Sequence, residues 1–245
     1  MPPLELVAPE TIAWVAVAAL AGGFVRGFSG FGGPAVMILA LVPFFAPVSV
    51  LSKVLVIDFM ANIKLLPSAV RNLDRTTAVP VISGTLVGAA IGFYFLNSLD
   101  GDLMKRVIGA IAGTLTLLML VGLKLKQTPP LWGHLGLGVF AGLILGSTNI
   151  AFAAAIYFFA LPIAASQGRA NLIVWGFVTS IGLICAHLAL GNLNLESTGR
   201  AALVGVAYLA GASVGARVYQ RVSERDFRRL ILCLLLVLSL VSLLY

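Results

Sequence analysis

The residues best suited to binding a small ion lie in a break between two apolar runs near the start of the chain. The break reads Gly27-Phe28-Ser29-Gly30-Phe31-Gly32-Gly33-Pro34, and its four glycines and proline end any helix there. At membrane depth such backbone must be buried or line a cavity. Its free N–H groups, with the start of the helix after Pro34, then form an anion site to which Ser29 adds a hydroxyl donor. The alternative is a tight external turn whose glycines allow close helix packing.

A second break, Gly146-Ser147-Thr148-Asn149, lies in the second half of the chain. It has fewer glycines, but its side chains carry donors that replace the backbone N–H groups of the first break. Broken segments at corresponding positions of two halves are the sequence feature that best indicates a transporter site. We therefore predict that one substrate site uses residues of both breaks, namely Ser29, Gly30, Phe31, Gly32, Gly33, Ser147, Thr148 and Asn149.

Ionisable residues follow the first break, and such residues are costly at membrane depth unless they have a function. Lys53 is the main cation candidate for a bound anion; alternatively, it extends toward the membrane interface. Aligning Ile63 with Ile181 makes Asn171 its partner in the second half, so we expect these two donors to face one anion. Asp58 is predicted to pair with a lysine or to bind a coupling proton.

Three further polar residues are assigned to coupling or gating. Arg26 precedes the first break and either anchors the inner face or attracts anions. Asn62 lies one turn after Asp58. His187 either relays protons or makes an interhelical hydrogen bond. Because His, Cys and carboxylate side chains do not occur at ligand spacing, we predict no metal site and no cofactor.

The composition predicts that these residues are positioned by transmembrane helices. Of 245 residues, 60% are hydrophobic and 10% charged, whereas about a quarter of residues in soluble domains are charged. We predict an all-α, polytopic transmembrane bundle forming one domain over 1–245. It has eight to ten helices, because 11–46 and 132–165 read either as long tilted helices or as pairs of half-helices. The apolar segments are 11–26, 33–46, 48–66, 78–97, 104–124, 132–147, 149–165, 169–190, 199–218 and 227–245.

Charge distribution predicts the orientation. The chain carries a net charge of +7, and its Lys and Arg residues cluster at segment ends, so topology explains the basicity without a nucleic-acid partner. The ends near Arg71, Lys124 and Arg217–Arg229 are predicted to be cytoplasmic. The acidic ends near Asp100 and Glu196, and both termini, are predicted to lie outside.

The two halves resemble each other. The sequence Leu86–Gly92 recurs as Leu209–Gly215 with the same glycine spacing, and Lys105-Arg106 recurs at the same offset as Arg228-Arg229. We predict two repeats, about 11–124 and about 132–245. They are inverted if the orientation above is right, as in many secondary transporters. The alternative is that apolar, glycine-rich helices are alike by composition.

These features resemble the sulfite exporter TauE/SafE family. The resemblance rests on the GFSGFGGP break, its inverted copy, and His187 followed by Gly191-Asn192-Leu193, and it covers nearly the whole chain. It implies a bacterial inner-membrane transporter of sulfite, sulfonates or related sulfur anions, with export as the expected direction. The second break departs from the family, whose second copy repeats the glycine-rich motif.

Three classes of function remain to be compared. The chain has no H-E-x-x-H, G-x-S-x-G or G-x-x-x-x-G-K-[ST] motif, which argues against a membrane-embedded enzyme or an ATP-driven pump. A purely structural subunit does not need polar breaks in both halves. We therefore predict a secondary transporter or facilitator that works by alternating access, with a small anion, the lipid bilayer and coupling protons as partners. Another small organic anion, such as a carboxylate, remains the alternative substrate, and the oligomeric state stays open.

Overall fold

The computed structural model describes residues 3–4, 8–29, 31–219 and 224–244. Within these ranges the chain forms α-helices and no strand, which confirms the predicted all-α bundle. Each of the predicted apolar segments overlaps one helix, and several of the helices extend beyond their segments. The helices are α1 (Pro9–Ser29), α2 (Gly33–Leu41), α3 (Pro47–Val70), α4 (Arg75–Ser98), α5 (Gly101–Val121), α6 (Leu131–Thr148), α7 (Phe152–Ala160), α8 (Ala165–Ala189), α9 (Leu195–Tyr219) and α10 (Glu224–Leu244).

Six of the described helices, α1, α4, α5, α6, α8 and α9, are long and apolar enough to cross a membrane. At most half of each span is buried inside the protein, so many apolar side chains face outward. Trp132 and Leu203, for example, are 79% and 74% exposed. So much outward apolar surface is stable only against lipid.

Two short helices, α2 and α7, have nine residues each. At 1.5 Å per residue each is about 14 Å long, less than half of the hydrocarbon core. α2 folds back against α1, with Gly33 packed on Arg26. α7 folds back along α6, since Tyr157 Oη lies 2.5 Å from His134 Nδ1. Each pair is therefore a helical hairpin with one short arm, not a single tilted helix.

Each hairpin turns on a residue in the left-handed region. Gly32 precedes α2 with a φ of 83°, and Asn149 ends α6 with a φ of 53°. Glycine adopts this conformation freely, and asparagine is among the few other residues that tolerate it. Each hairpin thus contains one left-handed residue, but Gly32 lies directly before the second helix of its hairpin, whereas Asn149 lies directly after the first helix of the other.

Two parallel helix pairs, α1 with α9 and α4 with α6, bring their backbones into close contact. On α1, Gly23 lies against the backbone of Tyr208 and Gly27 against that of Ala212. A Cβ at either glycine would overlap the opposing backbone, so larger residues would force the helices apart. The glycines of α4 that face α6 in the same way are Gly84, Gly88 and Gly92. The recurring glycine spacing in the sequence therefore marks two helix interfaces.

The helix contacts follow a matched pattern when the first five helices are set against the last five in order. α1 packs on α9 as α6 packs on α4, and α3 meets α9 as α8 meets α4. α2 contacts α10 as α7 contacts α5, while α3 and α8, like α5 and α10, contact each other directly. The described contacts of the first five helices are therefore matched by those of the last five.

Candidate functional site

A small polar cavity, which we call the central cavity, lies between the two hairpins. Its volume is about 30 Å³, which is about one water molecule's share of liquid volume. Gly32, the turn of the first hairpin, and Asn149, the turn of the second, both line it. The polar side chains on its wall come from both halves of the chain: Arg26, Asp58, Asn62, Asn149, Thr179 and Ser180.

A buried ion pair and its hydrogen bonds form one wall of the central cavity. Arg26 Nε lies 3.4 Å from Asp58 Oδ1, and Arg26 Nη2 donates to Asn62 Oδ1 at 2.5 Å. Asn62 Nδ2 donates to Asp58 Oδ2 at 3.2 Å, and Tyr208 Oη donates to Asp58 Oδ1 at 2.5 Å. We call these four residues the Arg26 cluster. It joins α1, α3 and α9, and hence both halves of the chain.

The Arg26 cluster is deeply buried, and one of its donors is not hydrogen-bonded. Arg26 and Asp58 are only 7% and 8% exposed. Within the described residues Arg26 Nε makes no hydrogen bond, although it is buried. A buried guanidinium needs hydrogen-bonding partners as well as a counter-charge, and its planar fork suits an oxyanion. Arg26, which the sequence left between two roles, is thus a cavity-facing cation paired with Asp58.

The predicted residues of the second break contribute unequally to the central cavity. Asn149 lines the cavity, and its Nδ2 lies 3.5 Å from the Leu51 carbonyl oxygen. The hydroxyls of Ser147 and Thr148 instead donate to carbonyl oxygens one turn back in α6, and neither residue lines the cavity. Hydroxyl groups in helices often make such local bonds, which leaves Asn149 as the available donor of this break.

The first break supplies backbone and an aromatic ring. Gly32 lines the central cavity, while Gly33 packs so tightly against Tyr208 and Arg26 that a side chain would not fit. The Phe31 ring lies 6.4 Å from the ring of Phe152, which also lines the central cavity. Gly30 and the side chain of Ser29 lie outside the described residues, so their predicted roles remain predictions.

The structure does not bring Lys53 and Asn171 together. Lys53 Nζ donates to Ser49 Oγ at 2.9 Å near the start of α3. Asn171 instead accepts a 2.9 Å hydrogen bond from the backbone N–H of Asp74, beyond the end of α3. Ala69, which clusters with Ala170, lies 16 residues after Lys53, or about 24 Å along the helix. α3 and α8 run in opposite directions, so Lys53 and Asn171, which each precede the Phe59–Phe177 contact by six residues, lie on opposite sides of it.

Asn171 and Asp74 form a structural contact where α4 begins. Asp74 caps α4, because its carboxylate accepts hydrogen bonds from Thr76 and Thr77. Burial raises the pKa of Asp74, but the side-chain and backbone hydrogen bonds from these threonines outweigh it and hold the pKa below its usual 3.8. Asn171 therefore positions a helix end outside the central cavity.

His187 also lies outside the central cavity. Its ring meets the Phe93 ring edge-on with centroids 4.7 Å apart, and its Nδ1 lies 3.3 Å from Asn192 Nδ2. Asn192 in turn donates to Asn97 at 3.0 Å. These contacts link the ends of α4 and α8, although the hydrogen bond of His187 itself is to Asn192, five residues further along the chain, so both roles predicted for His187 stay predictions.

A larger cavity, which we call the vestibule, opens where α3 and α5 end and α8 begins. Its volume is about 710 Å³. Leu65 and Ala69 of α3 line the vestibule, whereas Leu55 and Asp58, further back on α3, line the central cavity. On α8 the order is the reverse, because that helix runs in the opposite direction. The two cavities are therefore stacked along α3 and α8, with Phe31 and Phe152 in contact between them.

Sequence reasoning missed several residues of this site. Tyr208, Thr179 and Ser180 were not singled out, although each is a polar side chain inside an apolar segment. Trp175 also lines the central cavity and donates through Nε1 to Thr85 Oγ1 at 2.8 Å. Tyr208 gave the clearest signal in the sequence, because it lies in the middle of an apolar segment and a tyrosine buried there needs a hydrogen-bond partner for its hydroxyl.

The fold and the site define a multi-pass membrane protein whose polar cavity lies between two broken helix pairs, as in secondary transporters. Residues 15–242 match the family described as sulfite exporter TauE/SafE, and the chain belongs to this family. No curated protein matches the chain, and no solved structure does. Family membership confirms the resemblance found in the sequence and agrees with transport rather than catalysis.

Proposed function

We propose that this protein is a secondary transporter or facilitator that moves a small sulfur-containing anion, sulfite or an organosulfonate, out of the bacterial cell across the inner membrane. The observation that carries this proposal is the buried Arg26 cluster on the wall of a cavity between the two hairpins. The sulfur chemistry of the substrate rests on the family to which the chain belongs.

Arg26, rather than Lys53, is the cation proposed to bind the substrate. Its guanidinium faces the central cavity beside the turn of the first hairpin, and Asn149 faces it from the second. A cavity of about 30 Å³ does not hold a sulfonate or sulfite beside these groups. Anion binding therefore requires the walls to separate, which is the movement that alternating access demands.

The charges of the Arg26 cluster support the proposal of proton coupling. Arg26 and Asp58 together are neutral, so an anion that binds Arg26 adds an uncompensated negative charge in a buried site. A proton on Asp58 restores neutrality. The groups facing Asp58 are Arg26 of α1, Asn62 of α3 and Tyr208 of α9, while α8 presents only uncharged side chains to the cavity. Asp58 is therefore the proposed proton-binding residue, with one proton for each monovalent anion. Export by such coupling is driven by the anion's own outward concentration gradient, which must exceed any opposing pH gradient.

Alternating access is proposed to use two inverted repeats, about 11–124 and about 132–245. The matched helix contacts of the two halves support this arrangement. In each half the first helix joins the fourth helix of the other half through glycine contacts, so that α1 moves with α9 and α6 with α4. Rocking of these units against α3 and α8 would open the central cavity first to one side and then to the other.

The proposed orientation follows the basic residues. Arg71, Lys124 and Arg217 end α3, α5 and α9 and are placed in the cytoplasm, which puts both termini outside. The vestibule, which Lys124 lines, then faces the cytoplasm and suits export. Cysteines introduced at Asn194 and at Ser223 test this: an impermeant reagent added outside should label the first and spare the second.

The test of the function is flux through purified protein in liposomes. We expect sulfite and methanesulfonate to cross faster than in protein-free liposomes, and acetate to cross without acceleration. Transport of acetate alone would support the carboxylate alternative. Acceleration of none of the three anions would contradict anion transport and return the membrane-enzyme alternative to consideration.

A further inference from the structure

The vestibule carries a cation that the proposed transport site does not use. Arg169, in the second turn of α8, is exposed and lines the vestibule. No hydrogen bond or ion pair joins its side chain to another described residue. Lys124, the other cation on the wall, donates at 2.8 Å to the Phe159 carbonyl oxygen at the end of α7 and so has a structural role. Arg169 is therefore the cation available to a ligand.

The electrostatic character of the vestibule favours anions. Arg169 lies near the start of α8, where the helix dipole adds partial positive charge. Among the described residues that line the vestibule there is no carboxylate to neutralise Arg169. Of the nearby polar side chains, Ser68 already donates to the Leu65 carbonyl oxygen and Asn72 to that of Ser68, which leaves the Ser166 hydroxyl and the second N–H of Asn72 as donors. A single negatively charged group is the natural partner of this end of the cavity.

The rest of the vestibule wall is apolar and roomy. Its volume of about 710 Å³ falls within the range of roughly 300–1,000 Å³ that is typical of small-molecule sites. An inorganic oxyanion uses only the polar end. The side chains of the apolar wall include Phe28, Phe31, Leu118, Met119, Ile156 and Ile173.

We propose that the vestibule is a capture site for organic anions, in which Arg169 binds the charged group and the apolar wall binds the hydrocarbon part. The site lies beside the Phe31–Phe152 contact, so a captured anion waits next to the central cavity. Only the onward step to Arg26 rests on the proposed transport function. Capture itself is an equilibrium binding event that can be measured without transport.

The test is calorimetric binding of methanesulfonate, butanesulfonate and hexanesulfonate to the full chain in a detergent with an uncharged headgroup. Affinity should rise with chain length, by up to about fourfold for each methylene that becomes fully buried. Hexanesulfonate affinity should fall about tenfold in Arg169→Gln and less in Arg169→Lys. Arg75→Gln is the matched control, since Arg75 is exposed at the same end of the bundle but does not line the vestibule.

Hexanol distinguishes an anion site from a cavity that holds lipid chains. If hexanol binds as tightly as hexanesulfonate, or if Arg169→Gln leaves hexanesulfonate affinity unchanged, the capture site is refuted. Failure of hexanesulfonate to bind also refutes it. None of these results bears on sulfite flux in liposomes, so failure of the capture site and failure of the transport function are separable.

Discussion

Substitution of Gly32 tests whether the first hairpin depends on a left-handed turn. Its φ of 83° costs a non-glycine residue about 1–2 kcal/mol, and a β-branched residue up to about 3 kcal/mol. Space is not the obstacle, because an added Cβ would lie 3.5 Å from Val25 Cγ1 and 3.6 Å from Phe152 Cε1. Gly32→Ala should therefore lower the melting temperature by roughly 2–8 °C, and Gly32→Val by more.

Gly32→Asn is the decisive comparison, since asparagine tolerates the left-handed region and Asn149 already adopts it at the end of α6. We expect its loss of stability to be less than half that of Gly32→Ala. Gly33→Ala is the contrasting control: there a Cβ would come within 2.6 Å of the Gly22 carbonyl oxygen, so packing rather than backbone conformation fails. Thermal unfolding in detergent measures all four proteins. Equal losses for Gly32→Asn and Gly32→Val would refute the turn argument.

Two further substitutions test packing and capping. Gly88→Ala should destabilise the protein strongly, because the added Cβ would overlap the Val139 carbonyl. Gly136 has open space around it, so Gly136→Ala should be neutral or stabilising by up to about 1 kcal/mol. Equal melting temperatures of the two variants would contradict the glycine interface. Asp74→Asn should keep the helix cap, because asparagine is also a good N-cap residue. The lowered pKa of Asp74 stabilises the folded protein above pH 3.8, and this stabilisation is lost as the pH falls below that value. The variant should therefore lack the part of the wild-type decline in melting temperature that protonation of Asp74 causes. Melting curves between pH 3 and 6 check this, and parallel declines of both proteins would contradict it.

The sequence predicted the helices well because apolar length is a local property. Each predicted segment overlaps one helix, and both breaks lie where glycine, proline or polar clusters interrupt apolar runs. The similarity of 86–92 to 209–215 also had a physical basis, since the glycines of both sequences face another helix backbone. Apolar segments and glycine spacing do not indicate which helices become neighbours.

The candidate site depended on that missing information. Asp58 requires a counter-charge, and the sequence offered Lys53 on the same helix, whereas packing brings Arg26 of α1 instead. Lys53 and Asn171 were predicted to face one anion because they occupy aligned positions in the two halves, but aligned residues need not be in contact. Because α3 and α8 run in opposite directions, two residues that each precede the Phe59–Phe177 contact by six positions are carried apart rather than together.

The most direct test of proton-coupled transport is to measure two activities of Asp58→Asn in proteoliposomes. The first is exchange of methanesulfonate across the membrane, and the second is its accumulation driven by a pH gradient. Methanesulfonate suits this assay because it stays ionised, so any proton that moves with it is carried by the protein. An asparagine mimics a permanently protonated Asp58 and leaves the charge of Arg26 for the anion. Glu196→Gln is the control, since Glu196 forms an exposed ion pair with Arg200.

In wild-type proteoliposomes, a pH gradient of one unit should accumulate methanesulfonate up to about tenfold, with one proton per anion. Asp58→Asn should keep methanesulfonate exchange within about threefold of wild type but lose all accumulation, while Glu196→Gln should behave as wild type. Wild-type movement of methanesulfonate without protons would contradict the account even if the variant does not fold. Accumulation by Asp58→Asn, or loss of its exchange in a folded protein, would contradict it equally.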